Sequence, residues 1–150
     1  MASAEFSPEL CEQLYALPKQ VASRINWKRG PGEDVFIFRA KVLAPDGTGF
    51  DLTGHWKKNG RHGRTCWGFS LTYMGHCIRS FDMALYHRNP GGAGKVTGSH
   101  KHRFSSSKIA RFAYKPDPPL SESDPNQSLM DFLAESNIEL PSNYQFFMFP

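Results

Sequence analysis

From Asp34 to Tyr86 apolar and polar residues alternate with a period of two, and no other feature constrains the fold as tightly. Successive side chains on an extended strand point to opposite faces, so such alternation marks strands with one buried face. The spacing predicts a first strand over Val35 to Leu43, then a turn at Ala44-Pro45-Asp46-Gly47, where Pro and Gly supply the dihedrals a tight turn needs. A second strand follows, with Phe50, Leu52 and Trp56 on one parity and Asp51, Thr53 and His55 on the other. Asn59-Gly60 is a strong hairpin signal. The third strand carries Trp67, Phe69, Leu71 and Tyr73 on one face, Met74-Gly75 reverses the chain, and a fourth strand runs from about His76 to Tyr86. Its Arg79, Phe81, Met83, Leu85 and His87 share one parity, and Ser80, Asp82 and Ala84 the other. Four strands joined by short turns make an antiparallel meander.

Helices flank this unit. Ser7-Pro8-Glu9 reads as N-cap, first helical residue and first-turn acid, and Leu10, Leu14, Leu17 and Val21 continue at helical spacing. One or two short helices are expected over 7–25, divided by Pro18. Trp27 to Gly32 reads as a linker. Beyond the meander, a Gly-rich loop over 88–99 precedes His100 to Phe104 and a stretch from Ile109 to Tyr114, a fifth strand or two pieces of one. A Pro-rich connector over 115–124 leads to a last helix over 125–137, with Asp124 as N-cap, Pro125 in the first position and Gln127 in the capping-box position. Phe146, Phe147 and Phe149 in the tail are expected to cover the sheet. The expected fold is therefore α+β, one domain over 1–150. Its four- to five-stranded, mainly antiparallel sheet has the N- and C-terminal helices on one face, leaving the other as the working surface.

Charge narrows the function. The net charge is +4, but between His55 and Lys115 stand 12 Lys/Arg against one acid, Asp82, and all six histidines fall in the same segment. The rest of the chain is net acidic. Such polarity points to a polyanionic partner, with RNA or DNA first. No stretch is long and apolar enough to span a membrane, and the first residues lack a secretory pattern, so no membrane partner and a cytoplasmic location are expected. Three cysteines without C-x-x-C spacing argue against a disulfide framework or a four-cysteine zinc site, and read as buried thiols. Gly91 to Thr97 departs from the phosphate-loop pattern at Asn89 and at Val96.

The densest chemical cluster is Arg79-Ser80-Phe81-Asp82, His87-Arg88-Asn89-Pro90 and His100-Lys101-His102. His100 and His102 fall on one face of an extended backbone, and His87 stands at the end of the preceding strand. Imidazoles titrate near neutrality and can divide acid and base work. In RNA, one imidazole would take the 2′-OH proton as that oxygen attacks phosphorus, and another would protonate the leaving 5′ oxygen, without metal or cofactor. Arg79 would contact the scissile phosphate and Asp82 would orient a His or Arg. Arg79 and Asp82 are three apart, so they share a face only if a bulge intervenes. Lys57, Lys58, Arg61, Arg64, Arg88, Lys101 and Arg103 would grip the nucleic-acid backbone. Two alternatives remain open: a non-catalytic module binding nucleic acid or protein, such as a phage or defence-linked regulator, and a hydrolase in which the three histidines ligate a divalent cation.

Arg79-x-x-Asp82, His87-x-Asn89-Pro90 and His100-Lys101-His102 together resemble the R-x-D…H…H-x-H core of TumE-like toxins of prokaryotic toxin–antitoxin modules and of related small prokaryotic domains. The likeness covers about Cys77 to Phe104, with a vaguer second match over Met130 to Pro141. The resemblance implies a growth-inhibiting endoribonuclease and a cognate antitoxin as partner.

Overall fold

The computed structural model describes residues 6–58, 65–82, 86–88, 95–97, 100–103, 112–114 and 123–150, the four short central stretches through their backbone and strand pairing. Helix α1 spans Pro8–Ala16, and the Ser7 hydroxyl accepts from Leu10 N–H at 3.1 Å. It stops there, short of the expected Ile25, because Pro18 has no N–H to continue the ladder. The next residues, Lys19–Val21, form strand β1 instead. Lys28–Arg29, expected as linker, form β2, which turns back onto β3, Val35–Leu43, with Gly30 N–H donating to Val35 O at 2.8 Å. Trp27 anchors this hairpin, since its buried ring lies edge-on to Phe38, 4.7 Å between centroids.

The meander follows the alternation closely. Strand β3 pairs with β4 (Gly49–Lys57), β4 with β5 (Cys66–Tyr73) and β5 with β6 (His76–Asp82), all antiparallel. Met74 and Gly75 both take positive φ, 47° and 81°, the dihedral signs of a two-residue hairpin turn whose twist suits the strands it joins. The Asn59-Gly60 turn lies outside the described residues. The fourth strand is described over His76–Asp82, and the part of its expected span over 83–85 lies outside the described residues. Tyr86–Arg88 is a separate strand, β7, which pairs with β8 (Lys95–Thr97), inside the expected loop, in a two-stranded sheet.

Strand β9, His100–Arg103, runs antiparallel beside β6, and β10, Phe112–Tyr114, beside β9. Helix α2, Pro125–Glu135, starts at Asp124, whose carboxylate accepts from Asn126 N–H at 3.0 Å. The Gln127 amide donates to Asp131 at 2.8 Å. Asn137, at φ 57°, terminates the helix turn and leads into β11, Ile138–Glu139, parallel to β1. The main sheet thus has nine strands among the described residues, more than the four or five expected, in the order β10-β9-β6-β5-β4-β3-β1-β11 with β2 also on β3.

One face of this sheet forms the core. Phe36, Phe38, Ala40 and Val42 of β3 adjoin Phe50, Leu52 and Trp56 of β4, then Trp67, Phe69 and Leu71 of β5 and Phe81 of β6. Phe132 of α2 meets Phe69 at 5.7 Å between ring centroids, and Cys11 of α1 lies at hydrogen-bonding distance from Ile78 O, 3.5 Å. Burying each such aliphatic or aromatic side chain contributes roughly 1.5–3 kcal/mol. Gly54 is required because the Phe38 ring occupies the space its Cβ would take. Cys66 and Cys77 are only half-buried, unlike Cys11.

The tail packs through alternate residues. Phe147 and Phe149 lie against Trp27, Phe36 and Trp56, whereas Phe146, 61% exposed, does not cover the sheet. Asn126 fixes this arrangement: its amide donates to Phe147 O at 2.9 Å, and its oxygen accepts from Phe147 N–H and Tyr144 Oη, both at 3.1 Å. No helix among the described residues is long and apolar enough to cross a membrane.

Candidate active site on the polar face

Strand β6 divides the predicted site between two faces. Arg79 and Phe81 belong to the core face, Ser80 and Asp82 to the other. A bulge does interrupt β6, where Leu71 pairs with Arg79 but Thr72 with Cys77, leaving Ile78 as the extra residue. It lies before Arg79 and so cannot bring Arg79 and Asp82 to one side. Arg79 is 4% exposed; its guanidinium donates to both oxygens of Glu12 at 3.0 and 3.2 Å and stacks 3.8 Å from the centre of the Tyr15 ring. This sets Arg79, expected at the scissile phosphate, on the face opposite Asp82 and Ser80. It is a buried cation that ties α1 to the sheet, in surroundings whose burial also pushes the Tyr15 hydroxyl up to about 12, with Glu135 adding to the rise.

The polar face carries a different alignment. Register places Ile37, His55, Gly68, Asp82 and His100 in one cross-strand row over β3, β4, β5, β6 and β9. The adjacent row holds Arg39, Thr53, Ser70, Ser80 and His102, ending at Ala113 on β10. Directly opposed residues share a face, so His100 and His102 stand on the same face as Asp82 and Ser80. The Ser80 hydroxyl is buried and has no hydrogen-bond partner among the described residues.

At Gly68 the missing side chain matters. A Cβ there would come within 2.6 Å of His55 Cε1, 2.6 Å of the Phe81 carbonyl oxygen and 3.0 Å of Asp82 Oδ1. The imidazole thus leans over Gly68 from one side and the carboxylate from the other. Although His55 is exposed over part of its surface, burial of the ring on this side pulls its pKa below the ordinary imidazole value, and the Asp82 charge opposes that fall.

Around the row lie exposed cations. Lys57 and Lys58 are exposed, as are Arg39 and Lys41, which reach Asp51 at 3.4 and 2.7 Å. The Lys41 hydrogen bond is the main cause holding the Asp51 carboxyl below its usual range. Lys101 and Arg103 pair with Phe81 and Arg79, so they occupy register positions on the face opposite His100 and His102. His87 and Arg88 belong to the separate hairpin. Arg61 and Arg64 lie outside the described residues. Among the described residues no group of three His, Cys, Asp or Glu is arranged to hold a metal ion.

The chain matches no family model, no curated protein and no solved structure. Its site must be read from its own geometry. His55 is the residue that sequence reasoning passed over. Two signals were available: its parity with Asp51 and Thr53, and a glycine in the middle of an otherwise bulky strand, which marks close approach.

Proposed function

We propose that the polar face binds single-stranded RNA and cleaves it by metal-independent histidine acid–base catalysis. The observation that carries this reading is the register of β9 on β6, which sets His100 opposite Asp82 and His102 opposite Ser80 on one face. A carboxylate beside an imidazole fixes its tautomer and stabilises the imidazolium that forms on proton transfer. Lys57, Lys58, Arg39 and Lys41 supply the phosphate-binding charge that Arg79 does not. The resemblance to TumE-like toxins supports the same chemistry and adds a cognate antitoxin as partner, in which case expression arrests bacterial growth and a neighbouring gene product relieves it.

The test is cleavage of a labelled RNA in excess chelator, beside a control with a 2′-deoxy substitution at the scissile position. The parent is expected to cut only the ribose form, leaving a 2′,3′-cyclic phosphate. His100→Ala and His102→Ala should each lower the rate by about 10²–10⁴-fold, with affinity unchanged within a few-fold. Binding without cleavage by the parent would make the protein a binding module, and loss of cleavage in chelator a metal-dependent hydrolase.

A further inference from the structure

We propose that His55 and Asp82 form an imidazole–carboxylate pair across Gly68, and that His55 is the base that works with His100 on the substrate. The catalytic half of this inference rests on the RNA-cleavage reading; the pair itself does not.

The pair follows from the sheet. His55 and Asp82 are two strands apart, a separation that ordinary side chains on the intervening strand would fill. Gly68 is the residue between them in register, and the space above it is taken from both sides by the ring edge and the carboxylate oxygen. A strand glycine costs conformational entropy and contributes no packing, so its place here is explained by what approaches it. The same row continues to His100, making Asp82 the central anion between two histidine positions. Other ionisable groups on the neighbouring positions of this face are Lys57 on the same strand, Arg39 on β3 and Cys66 on β5. Asp82 is the carboxylate whose charge acts on His55, opposing the effect of burial.

The proton balance is simple. Neutral His55 takes the 2′-OH proton as the 2′ oxygen forms its bond to phosphorus. The bond from phosphorus to the 5′ oxygen breaks, and the imidazolium of His100 delivers a proton to that leaving oxygen. His55 ends protonated and His100 neutral, and exchange with water restores both. Asp82 touches no reacting atom; it is a positioning residue that steadies the charge appearing on His55. Local burial keeps His55 deprotonated near neutrality, as a base requires.

Two measurements test this independently. In an NMR titration of the imidazole resonances, His55 should titrate below about 6.5, and Asp82→Asn should move it further down, since the attraction that favours the charged form is lost. In the cleavage assay, His55→Gln should lower the rate by about 10²–10⁴-fold while RNA affinity holds, and should remove the acid limb of the pH–rate profile. An unchanged His55 titration in a folded Asp82→Asn protein overturns the pair. Full cleavage by His55→Gln overturns the catalytic role while leaving the RNA-cleavage reading intact. A parent protein that does not cut RNA ends the reaction for both, and the titration still decides the pair. Gly68→Ala provides a second variant, expected to perturb the same titration by occupying the shared space.

Discussion

Lys19→Met is expected to lower the stability of the fold by about 3–5 kcal/mol, as measured by urea unfolding. Lys19 is 2% exposed, and no carboxylate is its partner in the hydrogen bonds it makes. Its ammonium donates instead to three backbone carbonyls, Tyr15 O, Leu17 O and Ser136 O, each at 2.7 Å. These are the orphan acceptors that end α1 and α2, where the helix dipoles present partial negative charge. Methionine matches the length and fills the space, but it leaves buried acceptors unsatisfied at about 1–3 kcal/mol each, offset in part by the relief of not burying a charge. An unchanged unfolding midpoint would refute this assignment. Burial also pulls the Lys19 ammonium down to about 8. Its folded value is thus below its unfolded one, so between pH 8 and the ordinary lysine range the unfolded chain binds more protons. Stability relative to Lys19→Met should rise with pH across that window.

Phe132→Ala should cost a similar amount, about 3–5 kcal/mol. The ring is fully buried where α2 crosses the sheet, tilted against Phe69, which itself stacks on Phe81. Removing it leaves a cavity lined by aromatic groups that cannot collapse without moving the helix. Because Asn126 on that helix holds Phe147, the loss should extend to the Phe149 ring stacked on Trp56 at 5.0 Å. Tryptophan fluorescence should report it as a red shift before global unfolding. An Ala variant that unfolds at the parent's midpoint would show that α2 is not held through this ring.

Much of the frame was legible because it depends on local rules. The strands from Val35 to Asp82 follow from parity, the turns at Asp46-Gly47 and Met74-Gly75 from their turn residues, and the helix starts from Ser7 and Asp124. Strands β1, β2 and β11 were not, since two or three residues carry no period, and their pairing depends on partners elsewhere in the chain. The fate of Arg79 illustrates the same limit: its partner Glu12 is 67 residues away, and nothing near Arg79 announces it. The shared face of His100 and His102 was readable from their spacing, but their alignment with Asp82 and His55 required the register of four strands.

The parallel pairing of Lys19 with Ile138 and of Gln20 with Glu139 carries a consequence for biosynthesis. A ribosome releases residues in order, so Lys19 and Gln20 lack this partner until Ile138 and Glu139 have emerged, while the meander between can already assemble. Lys19 meanwhile waits for Ser136 O, an acceptor 117 residues further along. The junction of β1 with β11 should therefore close after the meander, and nascent chains stalled before Ile138 should be more readily taken by proteases than chains that extend past it.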